Sequence, residues 1–249
     1  MAYFRQFGDP ATGTFSYLLA CDRTATAAII DPVAGHEPLY LGVLGELSLR
    51  LTWVLETHLH ADHISAADTL RQQTGARIAV GRQTGIEEAD RWLADGDSLA
   101  VGELSIAALA TPGHTPGCLT YRWEDRLYTG DSLLIGGSGG IDEPGGNGVL
   151  LFDSVTRRLL CLADETLVYP GHGRDHRWVS CIGQERRSNP CFHGVCRDRF
   201  VAIKAANREP MPAIAATALA ANRRCGRLPA TEPATKDFTG TNQTAPPGA

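Results

Sequence analysis

Several features that would assign this 249-residue chain at a glance are missing. It has no CxxC pair. Its seven cysteines, an odd number, are scattered at 21, 118, 161, 181, 191, 196 and 225, without zinc-knuckle or dithiol redox spacing, so buried or idle thiols are expected. No stretch approaches the roughly 20 apolar residues of a membrane span. The opening "MAYFRQFGDPATGTFSYLLA" has no basic segment followed by an apolar one, so a cytoplasmic protein is expected. A formal charge of −5 without long runs of one sign leaves no footprint for nucleic acid or an anionic membrane. The pairs Arg186–Arg187 and Arg223–Arg224 suit a solvated surface. There is no evident internal repeat. What is present, 43% hydrophobic and 20% charged residues, fits one large globular domain over 1–230. The polar, Thr-, Pro- and Gly-rich 231–249 is expected to be a disordered tail.

Short apolar runs alternate with turn signals along the chain. "TFSYLLA" and "TAAIIDP" read as a hairpin around Cys21 to Thr24, and "EPLYLGVLGELSLR" places Leu39, Val43, Leu44 and Leu47 at helical spacing. "LTWVLETH" and "ARIAVG" read as strands. Between them, Ser65 with Asp68 predicts a capping box opening the helix "AADTLRQQTG", closed by Gly75. "GIEEADRWL" predicts a further short helix. "DSLAVGELSIAALATPGH" and "CLTYRWEDRLYTGD" read as hairpins, the second turning at Glu124–Asp125. "LLFDSVTRRLLCL" sets Leu151, Val155, Leu159 and Leu162 along one helical face, and "TLVYPGH" is a last strand.

The chemistry concentrates in "THLHADHI", Thr57 to Ile64, which packs His58, His60, Asp62 and His63 into six positions after an apolar strand. Four strands end in a ligand-type residue: His58, His114, Asp131 and His172. Such endings are expected to converge at the edge of one shared sheet, where loops bring side chains together. His58 and His60 project to the same side of an extended segment. Five imidazoles and two carboxylates result. Singly, each has an ordinary explanation, as a core histidine, a helix cap or a turn residue, and His36, His176 and His193 are read that way. Jointly, the spacing points to a metal site, with His60, Asp62, His63 and His172 as ligands or as partners that orient the ligands. From the residues alone, one iron and two zinc ions fit equally well.

"THLHADH", "TPGHTPG", "TGD" and "YPGH", in this order, resemble the metallo-β-lactamase superfamily, which implies an α/β fold, a four-layer αββα sandwich. Ala61, "TGDSLLI" and "ANRRCG" are more similar to its glutathione-dependent persulfide (sulfur) dioxygenases, a branch near glyoxalase II, and the likeness spans about residues 4 to 226. That resemblance implies one Fe(II) per chain on His58, His114 and Asp131, with glutathione persulfide and O₂ as reactants and a homodimer allowed. The alternatives are a glyoxalase II-like dinuclear zinc thioesterase acting on S-acyl glutathione, and a metal-binding persulfide sensor with weak turnover. The chain departs from the branch after "TGDSLLI": the usual Arg-Gly-Cys-Gly-Arg-Thr-Asp-Phe-Gln is replaced by "GGSGGIDEP", Gly136 to Pro144. After "YPGH", Gly173 and Arg174 replace Asp-Tyr. Arginine forks are the usual partners of glutathione's carboxylates, so weaker binding is expected unless Arg174 and Arg177 substitute.

Overall fold

The computed structural model describes residues 2–173 and 177–228. Arg174 and the tail 231–249 lie outside the described residues. In chain order the strands are β1 (Ala2–Gly8), β2 (Phe15–Cys21), β3 (Thr26–Ile30), β4 (Arg50–Leu55), β5 (Arg77–Gly81), β6 (Arg91–Leu93), β7 (Ser98–Val101), β8 (Leu104–Ala110), β9 (Leu119–Trp123), β10 (Arg126–Gly130), β11 (Leu167–Pro170) and β12 (Ser180–Cys181). The helices are α1 (Glu37–Glu46), α2 (Ala67–Thr74), α3 (Gly148–Ser154), α4 (Ile182–Ser188), α5 (Arg197–Ala206) and α6 (Ala215–Asn222). Among the described residues no helix is long and apolar enough to cross a membrane.

Two six-stranded sheets form, ordered β1-β2-β3-β4-β5-β6 and β12-β11-β10-β9-β8-β7. Each contains a hairpin followed by a helical crossover to a parallel strand: β2–β3, α1, β4 in the first sheet and β9–β10, α3, β11 in the second. All seven residues of β2 are buried, because the sheet is covered on both faces. Leu18 and Ala20 share a core with Tyr40, Val43 and Leu44 of α1 and with Leu70 of α2. Tyr17 and Leu19 face the other way, into a core with Trp53, Tyr121, Trp123 and Tyr128 that lies between the sheets. A third core packs Leu127 and Val168 against Leu151, Ile182 and Phe200 of α3, α4 and α5. Three cores separate four layers, the αββα sandwich.

All three expected hairpins form, β2–β3, β7–β8 and β9–β10, the last with Glu124 at a turn φ of 54°. Leu151, Val155 and Leu159 are fully buried on one face, with the helix continuing as a π-helical turn over Val155–Leu159. Two expectations are corrected. "GIEEADRWL" is not a helix, because its backbone donors are taken by distant partners: Glu87 N–H donates to the Arg223 carbonyl and Asp90 N–H to that of Ile78. Its end is instead the edge strand β6, paired with β5. The capping box at α2 is also replaced. Ser65 Oγ accepts from Ala67 N–H, but Asn222 of α6 takes the Ser65 N–H, and Asp68 turns to Arg71 and Gln72. Gly75 does close α2, at φ 74°.

Candidate metal centre

The ligand-type side chains converge, although not from one sheet. His58, His60, Asp62 and His63 follow β4 of the first sheet, whereas His114, Asp131 and His172 follow β8, β10 and β11 of the second. The site therefore straddles the edge where the two sheets meet. Asp131 is aimed there by a bulge: the β10–β11 register shifts between Tyr128 and Gly130, and Gly130 adopts φ 49°. A Cβ at Gly130 would lie 2.6 Å from Thr57 Oγ1, so only glycine allows this approach of the two sheets.

One oxygen or nitrogen from each of His58, His114 and Asp131 lies within 4.8 Å of the others, and all three residues are buried. The outer hydrogen bonds decide which atoms face the gap. Thr57 Oγ1 donates to Asp31 Oδ2 (2.7 Å), leaving it to accept from His58 Nδ1 (2.9 Å). His114 Nδ1 donates to the Gly140 carbonyl (2.9 Å). In both rings the proton is thereby fixed on Nδ1 and the Nε2 lone pair is left bare. Asp131 Oδ1 is taken by His172 Nδ1 (2.7 Å), which leaves Oδ2 facing His114 Nε2 at 3.8 Å. Burial, helped by His60 and His114, holds the His58 pKa well below the ordinary histidine range, so the ring stays neutral. Burial would raise Asp131, but the His172 charge and hydrogen bond outweigh it and hold the carboxyl well below its usual value.

The other four side chains form a network around this trio. His60 Nε2 lies 3.1 Å from Asp31 Oδ1 and 3.2 Å from Glu56 Oε2, and these carboxylates raise its pKa well above normal despite burial. Asp62 Oδ2 meets Thr14 Oγ1 (2.9 Å), His172 Nε2 (3.0 Å) and His63 Nδ1 (3.1 Å). His172, between two carboxylates that overcome its burial, is raised to about 10 and is charged at neutral pH. Among the described residues, His60 Nδ1 and His63 Nε2 are buried without a hydrogen-bond partner.

Two cavities reach this network. One, of about 170 Å³, is walled by His58, His114 and Asp131 and roofed by Glu143 and by Glu209 to Pro212. Burial, with Asp62 and Asp131 nearby, pushes the Glu143 carboxyl up to about 7. A second, of about 590 Å³, runs from Asp131 and His172 along Gly136 to Gly140 towards Lys204 and Asn207. Arg177 lines neither of these. It borders a separate cavity with Phe15 and Trp178, and its guanidinium Nη2 lies 3.0 Å from where a Cβ on Gly136 would sit. Thr14, Asp31, Glu143 and Lys204 were not singled out by sequence reasoning. Only Asp31 carried a signal there, as a fifth strand-end residue of ligand type in "TAAIIDP". The buried Cys118 thiol is pushed up to about 11 and bonds Thr115, a packing role.

Comparison with known proteins agrees with this fold. Residues 9–172 match the metallo-beta-lactamase superfamily. Human mitochondrial persulfide dioxygenase ETHE1 is 37% identical over 225 residues, covering 89% of this chain and 88% of that protein. The crystal structure of ETHE1 from Myxococcus xanthus has a TM-score of 0.89 at 42% identity, covering 90% of this chain and 100% of that one. The hydroxyacylglutathione hydrolase GloC of Haemophilus influenzae is 33% identical over 195 residues, covering 69% of this chain and 90% of its own. On the family match and these identities, the chain belongs to the metallo-β-lactamase superfamily, in the branch of the persulfide dioxygenases.

Proposed function

We propose that the protein is an iron-dependent dioxygenase converting glutathione persulfide, O₂ and water to glutathione, sulfite and two protons. The observation that carries this reading is the pair of bare Nε2 atoms, on His58 and His114, converging with the open Oδ2 of Asp131. Two imidazoles and one carboxylate on one face suit Fe(II) and leave positions open for both reactants. Iron held there would supply the redox chemistry that joins O₂ to the terminal persulfide sulfur.

The chain's own residues do the rest. Thr57 and the Gly140 carbonyl fix the tautomers of His58 and His114, so neither ring reorients to bind. His172 holds one oxygen of Asp131 and so orients the other. Glu143 and the segment Glu209 to Pro212 limit water at the smaller cavity. The larger cavity is where the peptide body of the thiol would lie. Because the arginines of the family's loop are replaced by glycine, contacts of about 1.5–3 kcal/mol each are absent, and a high apparent KM is expected.

A dinuclear reading is favoured by one specific feature: His63 Nε2 is buried, unpartnered and grouped with Asp62 and His60. Against it, His60 Nε2 is already held between Asp31 Oδ1 at 3.1 Å and Glu56 Oε2 at 3.2 Å. An O₂ electrode with sulfite detection on glutathione persulfide, run beside hydrolysis of an S-acyl glutathione, tests the choice. O₂ uptake matched by sulfite is expected; thioester hydrolysis without O₂ uptake would make the enzyme a hydrolase.

A further inference from the structure

The glycine segment meets the metal pocket through its backbone. Gly139 N–H donates to the Asp131 carbonyl (2.7 Å), and the next carbonyl, Gly140, accepts from His114 Nδ1 (2.9 Å). A Cβ on Gly139 would stand 2.5 Å from Asp131 O and 2.9 Å from His114 Nδ1, so the loop lies directly against both residues. Consecutive glycines have the widest backbone freedom of any sequence, and this contact therefore depends on restraint from outside the loop. At one end Gly136 N–H donates to Glu185 Oε2 (2.8 Å) and Asn189 Nδ2 donates to the Gly137 carbonyl (3.0 Å). Over the critical residues the restraint is Lys204, whose Nζ donates to the carbonyls of Gly139 (2.7 Å) and Ser138 (3.1 Å). Lys204 is itself set by α5, one turn beyond the buried Phe200.

We propose that Lys204 is a positioning residue of the metal centre: by gripping these two carbonyls it places the Gly140 carbonyl on His114 Nδ1, and so fixes the direction of His114 Nε2. A charge-assisted grip is strong enough to select one loop geometry, and it acts one peptide away from the acceptor. The inference rests on His58, His114 and Asp131 being the ligands.

Full-length Lys204→Met, Lys204→Arg and Gly139→Ala proteins are loaded with Fe(II), and transfer of the metal to a competing chelator is followed. Their Co(II)-substituted forms are compared by visible absorption. Lys204→Met is expected to lose roughly 10–100-fold in metal affinity, the scale for removing an outer partner, with shifted Co(II) bands. Lys204→Arg, which keeps the charge and donors, recovers most of the affinity. Gly139→Ala, which displaces the loop with Lys204 intact, shifts the same bands. Parental affinity and bands in Lys204→Met overturn the proposal, as does equal loss in the Met and Arg proteins with unshifted bands. His114→Ala separates the two readings: metal loss there beside an unaffected Lys204→Met removes only the brace. Retention in His114→Ala removes the ligand assignment and the brace with it.

Discussion

Asp31 and Asp131 occupy corresponding places in the two sheets, each directly after the second strand of a hairpin and before the helical crossover to a parallel strand. Each also serves a histidine from the loop after that parallel strand, His60 for Asp31 and His172 for Asp131. Their remaining valences differ. Asp31 Oδ1 accepts from Thr57 N–H and faces His60, and its Oδ2 accepts from Thr57 Oγ1, so both oxygens are occupied and the residue is 1% exposed. Asp131 has one oxygen held and one facing a cavity. A carboxylate with both oxygens satisfied is scaffold, and one held by a single oxygen is available as a ligand.

The comparison is broken most completely at the open carboxylate. Asp131→Ala, like His58→Ala or His114→Ala, is expected to abolish iron retention in elemental analysis; a variant that keeps stoichiometric iron would remove that residue from the ligand set. Next comes Asp31→Ala, which leaves the buried His60 with Glu56 as its one remaining carboxylate at Nε2 and takes the acceptor from both Thr57 donors. Breaking a buried pair costs about 3–5 kcal/mol, so chemical denaturation should show a loss of that size. A stability within about 0.5 kcal/mol of the parent, the usual range for surface changes, would mean that Asp31 is not scaffold.

His172→Ala should keep some iron while losing about 10–100-fold in affinity, because it only orients Asp131. In the metal-free protein the same change has a pH signature. His172 is raised from 6.5 to about 10, so its stabilisation is whole below about pH 6.5 and lost as pH rises through about 10. Thermal midpoints of the metal-free parent should therefore decline across that interval, and His172→Ala should flatten the decline; parallel curves would contradict the ion-pair role. The smallest effect expected is at Thr14→Val, which removes one of three donors to Asp62 and should cost roughly 1 kcal/mol with iron content unchanged.

Side-chain chemistry was legible in the sequence and backbone chemistry was not. The seven ligand-type residues were marked by their types and by the strands they end, because a metal site needs particular atoms and strands deliver them to an edge. That the strands belong to two sheets was implied by the family resemblance and not by local alternation, in which pairing partners leave no trace. The helix expected over "GIEEADRWL" failed for a related reason: Arg223 and Ile78 claim its donors from far along the chain. The glycine loop was the most misleading stretch. As a sequence it reads as missing arginines, whereas in the fold its peptide groups hold Asp131 and His114. Gly136 also shows why restoring the arginine is not simple, since φ 68° and the guanidinium of Arg177 oppose a side chain there.

The central claim is that one metal is bound, by His58, His114 and Asp131, with the remaining histidines around it. Elemental analysis of protein prepared anaerobically, without added metal, tests this directly. About one iron per chain is expected, released as pH falls below neutral because the imidazoles must be unprotonated to bind. Two zinc ions per chain, retained by the Asp131→Ala protein in part and lost equally in His63→Ala and His172→Ala, would contradict it.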